Sequence, residues 1–179
     1  MDYFTLFEIP KTFFINQELL TKNFYKLQLK FHPDVFLHHS EEVKKIALKK
    51  SIRINKGYKI LKDFLNRAIY LLYINGIDLK KDMQASENKS FLVKYFFLQE
   101  ELDFLKKNNF DAKKLCILEN KINKKIKKYK KLIELNFINN NYQVVVEIVK
   151  KLLFFENIKN NLNTEKDVYL INVNKGKYK

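Results

Sequence analysis

His32-Pro33-Asp34 is the tripeptide of this chain whose residue types and spacing could do chemistry. An imidazole can donate or accept a hydrogen bond, and a carboxylate can accept a paired hydrogen bond from an arginine of another protein. The proline between them has no backbone donor and disfavours helical geometry in the residue before it. A helix arriving from the N-terminal side should therefore stop near His32 and project both side chains from a fixed turn. Catalysis within the chain is poorly supported. No Ser or Cys nucleophile lies close in sequence, and one His with one Asp does not make a metal site. His38 and His39 follow without a carboxylate or Cys at fixed spacing and read as surface residues. Two readings of the tripeptide stay open: a helix-ending turn with a solvated His, and a loop presented to a partner.

The elements that must position this loop are two amphipathic helices. Leu20, Phe24, Leu27 and Phe31 are spaced by four, three and four residues, which keeps them on one helical face. Lys22, Lys26 and Lys30 recur every four residues along another side. That stripe is either a solvated face or a docking surface for an acidic partner. Beyond the loop, Ser40-Glu41-Glu42 supplies a capping side chain and acids for a first helical turn. Ala47, Ser51, Ile54, Tyr58 and Leu61 then form a core stripe. Asn75-Gly76 can end the first domain as a helix C-cap. The expected layout is a first domain over 1–76, a linker over 77–88, a second domain over 89–165 and a tail over 166–179.

Three helices are expected in the second domain, over about 89–107, 112–137 and 142–162, with Asp111 and Asn141 as N-caps of the latter two. The first of them is apolar on two sides. Phe91, Tyr95, Leu98, Leu102 and Leu105 form a core stripe, while Leu92, Val93, Phe96, Phe97, Glu100 and Phe104 point the opposite way. A small three-helix domain has little material left to cover that second side, so it is expected to be an exposed partner-binding patch.

Composition narrows the class. With 3 Gly and 2 Pro in 179 residues, and helical periodicity through most of its length, the chain is expected to be all-α. Cys116 cannot form an intramolecular disulfide, lacks a zinc-ligand neighbour and is expected to be a small core residue. The start is not that of a signal peptide, and no run of apolar residues is long enough to span a membrane, so the cytoplasm is the expected location. A formal charge of +15 raises nucleic-acid binding as a rival function, with seven Lys between Lys121 and Lys131. Only Arg53 and Arg67 of the 35 basic residues are Arg, however, and Asn, Ile and Phe are abundant. That bias fits an AT-rich coding sequence and argues against a dedicated nucleic-acid binder, which would use Arg for bidentate contacts.

The Lys-bearing helix ending in Leu29-Lys30-Phe31, the His32-Pro33-Asp34 loop, and Ile54-Asn55 with Tyr58 and Leu61 resemble a J domain, the module by which co-chaperones stimulate the ATPase of DnaK-type chaperones. The resemblance narrows to HscB, the co-chaperone family of bacterial iron–sulfur cluster assembly. It rests on Met1-Asp2-Tyr3-Phe4-Thr5-Leu6-Phe7 with Pro10, on Asn66-Arg67-Ala68-Ile69-Tyr70-Leu71-Leu72 with Gly76 and Asp78, and on Phe91-Leu92 with Glu100-Glu101-Leu102-Asp103. It runs from residue 1 to about 162. It implies an all-α, L-shaped molecule: an N-terminal J domain, a helical hairpin carrying the loop, then a C-terminal three-helix bundle.

The resemblance also implies a non-enzymatic adaptor that binds no cofactor or metal. Its chaperone contact would be made by Lys22, Lys26, Lys30, His32, Pro33 and Asp34, and the chaperone would be HscA. Its scaffold contact, to the iron–sulfur scaffold protein IscU, would be made by Leu92, Val93, Phe96, Phe97, Glu100, Phe104 and, on the last helix, Phe154. A general J-type co-chaperone for unfolded clients is the alternative. The chain departs from the family's pattern at Val35, where a basic residue is usual, at Phe31, where Tyr is usual, and at Phe64, where Pro is common. Phe97 and Phe104 replace residues that are acidic in better-known members.

Overall fold

The structure is a computed structural model that describes residues 2–79, 89–108 and 111–176. The side chains of Phe91, Leu92 and Tyr95 and the linker segment 80–88 lie outside the described residues. Those that are described form α-helices with one 3-10 turn and no strand. The helices are α1 (Tyr3–Leu6), α2 (Gln17–Phe31), α3 (Glu41–Lys62), α4 (Phe64–Ile74), α5 (Lys89–Lys107), α6 (Ala112–Ile138) and α7 (Tyr142–Gly176), and the 3-10 turn is Pro33–Phe36. They divide into two compact units, Met1–Leu79 and Lys80–Lys179.

In the first unit α3 is the hub, packed against α1, α2, α4 and the 3-10 turn. Its inward residues Ala47, Ser51, Ile54, Gly57 and Leu61 are all buried, four of them on the stripe expected from spacing. From α2, Leu20 is buried and Phe24 stacks on Tyr58 with ring centroids 4.0 Å apart. Polar contacts set the register: Gln28 Nε2 donates to Asn55 Oδ1 (2.8 Å), and Thr21 Oγ1 lies 3.2 Å from the Tyr58 hydroxyl. Ser40 does occupy the N-cap of α3, but its side chain makes no capping hydrogen bond. Only its carbonyl serves the helix, accepting from Lys44 N at 3.0 Å.

Two residues that spacing does not single out hold this unit together. Gly57 lets α1 approach α3 closely; a Cβ there would stand 2.6 Å from a Tyr3 ring carbon and 3.0 Å from the Phe7 ring. Arg67 on α4 is buried, and its guanidinium donates to Phe13 O (3.0 Å), Leu61 O (2.6 Å) and Lys62 O (3.4 Å). The last two carbonyls are orphans at the C-terminal end of α3, where a cation is also favoured by the helix dipole. Phe64 occupies the first position of α4 behind the N-cap Asp63, a place that suits Pro, and its ring meets Phe13 edge-on at 5.0 Å.

Helix ends follow a shared device. After α4, Gly76 adopts φ +85 while its amide reaches Tyr73 O and that of Ile77 reaches Leu72 O, the paired bonds of a Schellman cap. Asn140 (φ 55) closes α6 in the same way, through Asn140 N to Phe137 O and Asn141 N to Asn136 O. Asp111 caps α6 as expected, accepting from the amides of Lys113 and Lys114.

The second unit is built on α6 and α7, with α5 laid against both. Its core takes Leu98, Leu102 and Leu105 from α5, Leu118, Ile122, Ile126 and Ile133 from α6, and Val145, Val149, Leu152, Ile158 and Leu162 from α7. Two expectations are corrected. Cys116 is exposed rather than in the core, because the buried phase of α6 runs through Leu115, Leu118 and Ile122 and turns Cys116 outward. The last helix does not stop at 162 but continues to Gly176. Ion pairs hold its extension, with Glu165 2.9 Å from Lys106 of α5 and Lys166 3.0 Å from Glu119 of α6.

Gly57→Ala should gain about 1 kcal/mol of helix propensity, yet overpacking against Tyr3 and Phe7 should make the net effect a loss of about 1–2 kcal/mol in urea denaturation. A gain in stability would show that α1 does not sit on α3. Burial pushes the Asp2 carboxyl up, but hydrogen bonds from Lys11 and from the amide and hydroxyl of Thr5, with the Lys11 charge, outweigh it and bring it down to about 2. A depressed carboxyl stabilises the fold above its unfolded-state value and loses that contribution as pH falls. Wild type should therefore lose stability between about pH 4 and pH 2 more steeply than Asp2→Asn, as followed by helical circular dichroism.

Candidate functional site: an exposed loop and an exposed helix face

The loop is built from the end of α2. His32 takes extended backbone angles (φ −63, ψ 134) and ends the helix, as Pro33 requires. Pro33 then opens the 3-10 turn, in which Val35 N donates to His32 O at 3.1 Å. His32 Nδ1 lies 3.4 Å from the Asp34 amide and 3.5 Å from Asp34 Oδ2. Both distances are long, and one nitrogen cannot accept from the amide and donate to the carboxylate together. The backbone turn, rather than these side-chain contacts, fixes the loop. His32, Pro33 and Asp34 are all exposed, and 76% of the Asp34 side chain is open to solvent. A carboxylate and an imidazole exposed on a defined turn can accept and donate hydrogen bonds to another protein.

Lys22, Lys26 and Lys30 are exposed, and none has an acidic partner among the described residues. Lys30 Nζ lies 5.6 Å from the centre of the Phe31 ring, which Lys50 Nζ also faces at 4.6 Å. The structure adds apolar neighbours that periodicity left unassigned: Leu29, Val35 and Leu37 are exposed, Leu29 to 79%. The positive stripe and the loop thus share their surroundings with uncovered apolar side chains. For Leu29, absence from the core stripe of α2 is the signal that could have found it; Val35 and Leu37 belong to the turn beyond the helix, where no helical period marks them.

In the second unit α5 has the two sides expected. Leu98, Leu102 and Leu105 are buried, whereas Val93, Phe96, Phe97, Glu100 and Phe104 are exposed, Phe97 to 65%. Four large, solvent-exposed apolar side chains on one helix face are characteristic of a protein-binding surface. Lys114 Nζ stands 4.7 Å from the Phe104 ring centre at the edge of this face. Phe154 lies on α7, half-buried, with its ring edge-on to Phe155 at 5.8 Å. The side chain of Leu92 lies outside the described residues. No group of His, Cys, Asp and Glu among the described residues could hold a metal ion, and no described helix is long and apolar enough to cross a membrane.

Comparison with known proteins gives consistent relatives over most of the chain. The family profile of the HSCB C-terminal oligomerisation domain matches residues 87–163. Co-chaperone protein HscB of Buchnera aphidicola subsp. Acyrthosiphon pisum is 55% identical over 174 residues, covering 97% of this chain and 100% of the relative. Chaperone HscB from Vibrio cholerae superposes with a TM-score of 0.83 at 29% identity, covering 94% of this chain and 99% of that one. The crystal structure of human co-chaperone protein HscB gives a TM-score of 0.84 at 25% identity, covering 93% and 82%.

Because Val93 and Phe97 are exposed, Val93→Ser with Phe97→Ser should leave the unfolding free energy from urea denaturation within about 0.5 kcal/mol of wild type. The same variant should bind less of a hydrophobic dye in the native state. A large loss of stability would mean that these side chains are covered.

Proposed function

Because the chain belongs to the HscB co-chaperone family, we propose that it is an adaptor between a DnaK-type chaperone, HscA, and the iron–sulfur scaffold protein IscU. The first unit engages the chaperone. His32, Pro33 and Asp34 trigger hydrolysis of the ATP that the chaperone holds, and Lys22, Lys26 and Lys30 supply the electrostatic part of docking. The second unit presents the scaffold on α5 through Leu92, Val93, Phe96, Phe97, Glu100 and Phe104, with Phe154 of α7 as a further contact. The observation that carries this reading is the presence in one chain of two exposed surfaces of different chemistry. One is a rigid polar loop beside lysines, and the other is an aromatic helix face.

Joining the two surfaces in one chain raises the effective concentration of scaffold at the chaperone. ATP hydrolysis then favours tight holding of the scaffold and assists transfer of its cluster, so the protein itself is no enzyme and works in the cytoplasm. Phe97 and Phe104, exposed aromatics on this face, make the scaffold contact less dependent on charge steering and more on apolar burial.

Asp34→Asn should reduce ATPase stimulation to the chaperone's basal rate while leaving scaffold affinity unchanged. Loss of both activities would mean that the two surfaces do not act separately. Phe96→Ala with Phe154→Ala should raise the scaffold Kd about 10-fold or more while stimulation in the absence of scaffold is kept. An unchanged Kd by titration calorimetry would remove the assigned face.

A further inference from the structure

The leucines that bury α5 do not by themselves determine which of its residues face outward. A seam made of Leu98, Leu102 and Leu105 tolerates rotation of the helix about its own axis, because apolar packing is non-directional. Direction comes from two ion pairs. Glu101 Oε2 lies 2.8 Å from Lys121 Nζ of α6, and Lys106 Nζ lies 2.9 Å from Glu165 Oε1 of α7 and 3.6 Å from Asp103 Oδ1 of its own helix. At about 100° per residue, Glu101 stands roughly 70° to one side of the leucine seam and Lys106 roughly 70° to the other. The helix is therefore held from both flanks, by a different neighbour on each. The neighbours are themselves joined, through Glu119–Lys166 and Lys130–Glu156, both at 3.0 Å.

We infer that Glu101–Lys121 and Lys106–Glu165 are positioning pairs that set the roll of α5, and through it the presentation of Val93, Phe96, Phe97, Glu100 and Phe104. The docking part of this inference rests on the function proposed above. It also gives a purpose to the run of α7 beyond 162. Glu165 lies on that extension, and Lys166, one residue on, fastens the extension to α6. A groove beside it is lined by polar and apolar side chains together, Glu119, Asn123, Lys159 and Asn163 with Ile122 and Leu162. Such pairs are partly exposed and individually weak. Their effect is on the orientation of one helix, while global stability comes from the leucine and isoleucine core.

The test is amide hydrogen exchange on the full chain, comparing wild type with Glu101→Gln, Glu165→Gln and the double variant at about 0.05 M and 0.5 M salt. In the double variant at low salt, α5 amides should exchange about three-fold faster while α6 and α7 keep their protection. High salt should bring wild type to the same rates. The exchanged pair, Glu101→Lys with Lys121→Glu, should restore the wild-type pattern, which a loss of bulk or packing would not. Unchanged α5 exchange in the double variant, or an equal rise in all three helices, overturns the inference. Scaffold affinity at low salt should fall by a similar factor in the double variant; faster α5 exchange with unchanged affinity overturns the link to docking. A wild-type protein that does not bind scaffold at all would instead overturn the function proposed above, and the exchange data would still decide the roll.

Discussion

Packing of α2 against α3 is the constraint on which the first unit depends, because it places the loop between them, whose 3-10 turn also packs on α3. His32, Pro33 and Asp34 are exposed, and their contacts with one another are long. What fixes them is the helix on each side: α2 runs into Pro33 and must stop, and the Phe24–Tyr58 stack with the Gln28–Asn55 hydrogen bond fixes its register on α3. Everything else in the unit supports α3. The short α1 closes over Gly57, and Arg67 ties α4 and the segment around Phe13 to the carbonyl end of the same helix. A loop with exposed polar side chains is held in a defined geometry because its helical anchors are fixed and its 3-10 turn packs on α3.

The second unit solves the opposite problem. Its helix α5 buries one side and leaves a large apolar side exposed, although nothing in the hydrophobic effect distinguishes leucine inward from phenylalanine inward. Aromatics outside and leucines inside therefore need directional contacts, which the flanking ion pairs provide. The division of labour is between a non-directional core that supplies stability and polar contacts that supply orientation. The first unit shows the same division, with buried stripes for stability and hydrogen bonds for register.

Much of this was legible in the sequence because it follows from period alone. The stripe Ala47–Ser51–Ile54–Leu61, the stop at His32, the caps at Asp111 and Gly76 and the two-sided character of α5 all come from spacing and from the backbone preferences of Pro, Gly and Asp. The residues that were not legible depend on distant neighbours. Gly57 reads as a flaw in a helix until α1, more than fifty residues earlier, is seen lying on it. Cys116 sits in the apolar run Leu115–Cys116–Ile117–Leu118, where four consecutive apolar residues leave the helical phase ambiguous, and burial of Leu115 and Leu118 resolves it. Ser40 has the right type and place for a cap, but the backbone alone makes the bond. Asn161, Asn163 and Thr164 look like a helix end, and only the partners of Glu165 and Lys166 explain why α7 continues.

If the two surfaces of this chain act together, chaperone ATP turnover will report it. ATP turnover by the DnaK-type chaperone should be followed with this protein and the scaffold, each alone and then both together. Stimulation by the protein alone should be modest, and stimulation with both should clearly exceed the sum of the separate effects. Stimulation indifferent to scaffold would contradict it and indicate a general co-chaperone for unfolded clients, and no stimulation would mean that the loop does not engage this chaperone.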